Sequence, residues 1–273
     1  MENSIFRKDN VKSADGTEIG YYSLGSGPGL VIVHGSLRSA ADYGMLGECL
    51  AETFTVHIIN RRGRGNSGPQ GDDYSFEREV ADVTAVLKNT GSSLLFGHSF
   101  GGTVALEVGL SGYHLQKLAV YEPAISIENS IPLNTLPEIK QALTSQDHQK
   151  AFAGIMNVIS NGTVPENQLP DFALAMSRYP VWPYLCSLLE TVPAEIIAVH
   201  NADNTHPKYS AVKTPTLFLN GSKSPPQLAT QTGLLANVVP HSKTVQIEGA
   251  RHSGPDIDAP VEIARELKAW FGQ

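Results

Sequence analysis

The chain has 273 residues, 41% hydrophobic and 17% charged, with 20 Lys+Arg against 27 Asp+Glu for a net charge of −7. That apolar fraction fills a sizeable core and excludes a disordered chain; at roughly 150 residues per domain, the length fits one large α/β domain or a core with a substantial insertion. The acidic balance leaves no broad basic footprint for nucleic acid or an anionic membrane.

The opening MENSIFRKDN has no apolar stretch of the kind a signal peptide needs. No apolar run approaches the ~18 residues that cross a bilayer, so a cytoplasmic protein is expected. Gly29-Leu-Val-Ile-Val-His34 is an apolar, β-branched run, as a buried parallel strand would be. Phe54–Ile59 is the next strand, followed by the turn-rich Asn60-Arg-Arg-Gly-Arg-Gly-Asn-Ser67. Residues 76–89 place Val80, Val83, Val86 and Leu87 on one face at helical spacing. A strand at 93–96, a helix at 101–109 and a strand at 117–121 follow. This alternation predicts a mostly parallel, doubly wound sheet covered on both faces.

From Ala124 to Pro207 the strands stop and Pro-bounded helical segments take over, at 137–144, 147–160, 167–178 and 184–201. Methionine and aromatic residues gather there, Met176 and Trp182 among them, which suits either an ordinary helical core or the lining of an apolar pocket. Strands resume at 214–219 and 243–247, and a helix over 259–271 carries Ile263, Leu267, Trp270 and Phe271 on one face. The division expected is a core of 1–123 with 208–273, interrupted by a helical insertion of 124–207. Cys49 and Cys186 are too few for a disulfide framework and lack metal-ligand spacing. Gly25-Ser-Gly-Pro-Gly29 precedes a strand instead of following one, so it is no dinucleotide fingerprint. No metal and no cofactor are expected.

The strongest chemical signal is Gly97-His98-Ser99-Phe100-Gly101 between a predicted strand and a predicted helix. A G-x-S-x-G match is weak alone; strand, sharp turn and helix are the context that makes it a nucleophile elbow. The glycines leave room for close strand–helix approach, and the helix N-terminus faces charge developing at Ser99. A serine hydroxyl is a poor nucleophile near neutral pH and needs a base within hydrogen-bond reach. Of nine histidines, His252 is best placed, in a loop between the last predicted strand and the last helix. His98 should point away from the elbow and pack.

With these motifs the sequence resembles the α/β-hydrolase superfamily over nearly its whole length. His34-Gly35-Ser36 is similar to its H-G-x oxyanion turn, and Asn60–Ser67 to its D-x-R-G-x-G-x-S turn, with Asn in place of Asp. Gly249-Ala-Arg-His252 is similar to the turn that carries the catalytic histidine. The 124–207 insertion falls where the family inserts its cap. The resemblance implies an oxyanion hole from the backbone N–H groups of Ser36 and Phe100, each donor worth about 2.7–4 kcal/mol in the transition state. His34 is expected to fix that turn beside the substrate pocket, with Met176 and Trp182 lining the pocket from the cap.

The third triad member departs from the commonest family pattern. Gly221-Ser-Lys-Ser-Pro225 has serine where that pattern has Asp, and no Asp or Glu occurs between Asp203 and Glu248. Glu122, at the end of the preceding strand and at the family's alternative acid position, is the first candidate; Asp203 or a dyad without an acid are the others. The reading is a serine hydrolase acting on a carboxylic ester with an apolar moiety. Carbon–carbon bond cleavage, acyl transfer, and a catalytically weak ligand-binding protein stand as alternatives. Oligomeric state, a homodimer included, is left open.

Overall fold

Apolar runs set the interior of the sheet in the computed structural model, which describes residues 6–160 and 164–272. The strands are β1 (Arg7–Lys12), β2 (Glu18–Leu24), β3 (Gly29–Val33), β4 (Thr55–Ile59), β5 (Leu94–His98), β6 (Lys117–Tyr121), β7 (Thr216–Gly221) and β8 (Ser242–Ile247). The helices are α1 (Gly44–Leu50), α2 (Phe76–Thr90), α3 (Phe100–Leu110), α4 (Leu136–Thr144), α5 (His148–Ile159), α6 (Leu169–Met176), α7 (Trp182–Leu189), α8 (Val192–Asn201), α9 (Pro226–Val238) and α10 (Pro260–Phe271). The sheet order is β1-β2-β4-β3-β5-β6-β7-β8, with β1 and β2 antiparallel to their neighbours and the remaining pairs parallel. This is the mostly parallel, doubly wound sheet that the alternation of runs predicts.

Two compact units divide the chain, one of Met1–Ala124 with His206–Gln273 and one of Ile125–Thr205. The first holds the sheet. On one of its faces, Leu46 and Leu50 of α1 meet Ile263, Leu267 and Phe271 of α10, joined by Leu30, Ile32, Val56 and Ile58 from the strands. On the other, α2 starts at the Ser75 cap, ends at Gly91 in the left-handed region, and buries Val83, Val86 and Leu87. The second unit contains α4–α8 around Ile139, Phe152, Ile155, Leu188, Leu189 and Ile196. There the continuous helix expected over 184–201 is two helices. Pro193 has no N–H to donate back along the helix, and the chain restarts as α8. Among the described residues no helix is long and apolar enough to cross a membrane.

The basic turn after β4 is buried. Arg61 pairs with Glu79 of α2 at 2.8 Å, and Arg62 grips Asp82 through two bonds of 2.7 and 2.8 Å. Asp15 adds a third acceptor to Arg62 at 3.0 Å. The turn is a clamp on α2. Removing one member of such a pair strands the other in the interior, at a cost of about 3–5 kcal/mol. Asp82→Ala should therefore lower the unfolding free energy by that order in a urea titration. Glu266→Ala should change it by less than about 1 kcal/mol, because its partner Arg265 is 73% exposed.

Candidate active site

The chain leaves β3 for β4 on one side and returns to β5 on the other, so the switch point of the sheet lies at the carboxyl ends of β3 and β5. Open α/β sheets bind ligands there. Ser99 follows β5 with φ 53° and ψ −122°, a strained turn between strand and helix. The strain is held by close packing. A Cβ on Gly97 would sit 2.2 Å from the Gly101 carbonyl oxygen, and one on Gly101 would sit 2.4 Å from that of Val33. The Ser99 backbone is pinned on both sides, its N–H donating to Tyr121 (2.9 Å) and its carbonyl accepting from Gly102 (2.8 Å) and Ala124 (3.1 Å).

Three predicted residues meet in a row. Ser99 Oγ lies 3.0 Å from His252 Nε2, and His252 Nδ1 lies 2.7 Å from Glu122 Oε2. The other carboxylate oxygen of Glu122 accepts from the Gly221 N–H at 2.8 Å. Glu122 is 1% exposed and stands at φ 43° just past β6. A Cβ on Gly221 would fall 2.3 Å from the Ala250 carbonyl oxygen and 2.6 Å from the Tyr121 hydroxyl, so only glycine lets these chains close over the carboxylate. Asp203, the other carboxylate considered, is engaged in its own unit, accepting from the Ser126 hydroxyl and the Asn129 N–H and pairing with the Asn204 amide.

The His34–Ser36 turn abuts the serine. A Cβ on Gly35 would lie 3.1 Å from the Ser99 Cβ, and Leu37 sharpens the turn at φ 52°. Phe100 N–H opens α3, and among the described residues neither it nor the Ser36 N–H donates to another protein group. The Phe100 ring is buried between the Arg61 guanidinium, 4.6 Å from its centroid, and the stacked ring of Phe76 at 5.2 Å. His34 is fully buried and belongs beneath the site instead of at a pocket surface. The Arg61 N–H donates to its Nε2 at 3.1 Å, so Nδ1 carries the proton and donates to the Gly35 carbonyl at 2.8 Å. Asn60 supplies one oxygen to the Ala40 N–H (3.0 Å) and its amide N–H to Asn66 (2.7 Å), the second requiring an amide and explaining Asn in that turn. Met176 ends α6 and Trp182 opens α7; both are half-buried, and the Trp182 ring packs edge-on to Phe152 at 5.4 Å.

Sequence reasoning missed the residues that brace this row. Tyr43, Tyr121 and Asp256 sit beside it, and no local motif marks them. Burial, with the nearby Arg61 and Arg64 charges for His34 and His252 for His98, holds both buried histidines well below the ordinary range. Among the described residues no three His, Cys, Asp or Glu side chains are grouped to hold a metal ion.

A strained serine at a switch point, facing a histidine and a buried carboxylate contributed by later strands, defines the site of an α/β-hydrolase-type protein. The chain matches the alpha/beta hydrolase family over residues 30–266 and belongs to it. It is similar to the crystal structure of an alpha/beta hydrolase from Sphaerobacter thermophilus, with a TM-score of 0.84 and 30% identity over 96% of this chain and 100% of that one. N-formylmaleamate deformylase of Pseudomonas putida is 33% identical over 128 residues, 45% of this chain and 48% of that protein. A pimeloyl-(acyl-carrier protein) methyl ester esterase of Aeromonas hydrophila is 35% identical over 89 residues, 32% of this chain and 34% of that protein. The chain thus spans about a third to a half of the length of these curated relatives.

The buried histidines make stability depend on pH. A folded pKa below the unfolded value means that the unfolded chain takes up protons the folded one refuses. His57, also buried, is pushed down to about 4. The stability is fully present above the unfolded value of about 6.5 and is lost as pH falls toward the folded values, at about 1.4 kcal/mol per unit for each such histidine. Thermal melts should show a steady fall in Tm from pH 6.5 to 4.5, and His57→Gln should flatten it.

Proposed function

We propose that this protein is a serine hydrolase that cleaves a carboxylic ester with an apolar acyl or alcohol portion, through Ser99, His252 and Glu122. The observation that carries the reading is the unbroken row from the Ser99 hydroxyl through both His252 nitrogens to a carboxylate whose other oxygen is already fixed. In this reading Ser99 Oγ attacks the ester carbonyl carbon while His252 Nε2 takes its proton. Glu122 accepts from Nδ1–H, which fixes the tautomer and stabilises the imidazolium that forms. The oxyanion is received by the N–H groups of Phe100 and Ser36, which have no protein acceptor to give up. His252 then returns the proton to the departing alcohol, leaving an acyl-enzyme. Water, deprotonated by the same nitrogen, attacks the acyl carbon; the acid leaves as the bond to Ser99 Oγ breaks, and His252 returns the proton to that oxygen. In this reading Glu122, from the adjacent strand, takes the place of the Asp that is absent after Gly221, which is what favours catalysis over ligand binding alone. Similarity to a deformylase favours one second reading, attack on a formyl amide by the same row.

Ser99→Ala should reduce kcat by on the order of 10⁶ while preserving the melting curve. Glu122→Gln keeps the shape but can hold the imidazole in the wrong tautomer; the corresponding change in a serine protease lowers kcat about 10⁴-fold. Asp203→Asn should leave kcat near wild type. The assay is a panel of 4-nitrophenyl esters of increasing acyl length with a set of N-formyl amides, beside fluorophosphonate labelling of Ser99. Absence of both turnover and labelling would overturn the assignment. We further propose that Met176 and Trp182 contribute apolar contacts to the substrate. Trp182→Ala should then raise KM for long acyl chains more than for acetate, and equal KM across the panel would make it scaffold only.

A further inference from the structure

We propose that Tyr43 and His98 are positioning residues that tie the oxyanion turn to the loop of His252 through one directional chain of hydrogen bonds. The proposal rests on the serine hydrolase reading above. Its first link is the Gly35 N–H, which donates to the Tyr43 hydroxyl oxygen at 3.2 Å. That hydroxyl lies 2.5 Å from His98 Nδ1, and His98 Nε2 lies 2.8 Å from the backbone carbonyl oxygen of His252.

Chemistry fixes the direction of every bond. A carbonyl oxygen only accepts, so His98 Nε2 carries a proton. Burial disfavours a second proton on the ring, which leaves Nδ1 as a lone pair, with Asp256 Oδ1 4.0 Å away. The Tyr43 hydroxyl must then donate to Nδ1, and its oxygen is free to accept from Gly35. Protons therefore point one way, from the turn that holds the Ser36 donor to the main chain of the base.

Two further tethers reach the same loop. The Tyr121 hydroxyl donates to the Arg251 carbonyl at 2.7 Å, and Arg38, two residues past Ser36, pairs with Asp256, four past His252. The His252 ring itself is 35% exposed and meets the tilted His98 ring at 4.9 Å between centroids. His252 is held at its ring by Glu122, and at its backbone by these tethers. A displacement of about 1 Å at a reacting group can lower a rate 10²-fold, so slack in this chain should appear in the chemical step and not in binding.

The test compares Tyr43→Phe, His98→Gln and His98→Asn with the wild-type protein. Glutamine still reaches the His252 carbonyl as a donor; asparagine is shorter and reaches only toward Tyr43. The readouts are the rate of Ser99 labelling by a fluorophosphonate, kcat and KM on 4-nitrophenyl butyrate, and the low-field proton resonance of the His252–Glu122 hydrogen bond. Tyr43→Phe and His98→Asn should slow labelling and kcat by about 10- to 100-fold with KM within about twofold, and should broaden or shift the low-field proton. His98→Gln should be faster than His98→Asn. Wild-type labelling rates in Tyr43→Phe, or a loss confined to KM, would overturn the proposal. Should His98→Asn fail to fold, Tyr43→Phe decides by the same criteria. If the wild type itself neither labels nor turns over, the hydrolase reading fails, and the proton resonance still tests the tether: unchanged in Tyr43→Phe, it overturns it.

Discussion

Glu122 is a buried carboxylate with two acceptor oxygens, and each has one donor: the Gly221 N–H on one side, His252 Nδ1 on the other. A carboxylate out of water is costly unless it is hydrogen-bonded, so the surroundings of this one group are tightly constrained. The parallel register sets Tyr121, the last residue of β6, beside Leu219 of β7, so β7 runs two residues further and ends at Gly221. Position 221 must then be glycine, because any Cβ there would strike the Ala250 carbonyl. Glu122 itself takes a positive φ, which turns its side chain back across the strand ends. A longer acid just past β6 thereby reaches His252 Nδ1 from one strand away.

Strain gathers around the same few residues. Leu37, Ser99 and Glu122 all have positive φ without being glycine, a conformation costing of order 1–3 kcal/mol each. They persist because their neighbours leave no alternative: Gly97 meets Gly101, Gly101 meets the carbonyls of Val33 and His34, and Gly35 meets Ser99. Below them lie the Arg61–Glu79 and Arg62–Asp82 pairs, which fasten the turn after β4 to α2 and carry Arg61 against the Phe100 ring. Rigidity made in the first shell of backbone is therefore inherited from buried charge pairs a layer deeper. The polar interior serves position more than stability, since apolar residues of similar volume often stabilise as well as ion pairs.

The parallel strands from β3 to β7 were legible because each is a short continuous apolar run, the signature of burial on both faces. β1 was not: RKDNVK is polar but for Val11 and lies at the sheet edge, paired with β2. α1 escaped because GMLGECL is one short turn-rich stretch with two glycines, and α9 because PQLATQTGLLANV shows little periodicity. Ser99 and His252, which the structure brings within 3.0 Å, stand in local motifs, and Glu122 stands at the strand end where the resemblance puts an alternative acid. Tyr43, Tyr121 and Asp256 were not readable by any local rule. Their partners lie 55 residues away at His98, 130 at Arg251 and 218 at Arg38. Burial of Arg61 and Arg62 was equally hidden, since a basic run in a turn looks like surface until its acids are seen on the next helix.

In the proposed mechanism the base exchanges protons with substrate and water and so cannot be fully packed; the His252 ring is one-third exposed. Packing therefore cannot supply all of its orientation. Glu122 fixes the ring's rotation through Nδ1, but a hydrogen bond to one atom leaves the loop free to translate. Translation is opposed from the main chain, where Tyr121 holds the Arg251 carbonyl and His98 holds that of His252. His98 does this through its Nε2–H, while burial disfavours a second proton on the ring and the Tyr43 hydroxyl meets Nδ1. His98, beside Ser99 in sequence, thus faces away from the serine hydroxyl. Both of its nitrogens are committed, one to the Tyr43 hydroxyl and one to the backbone carbonyl of His252.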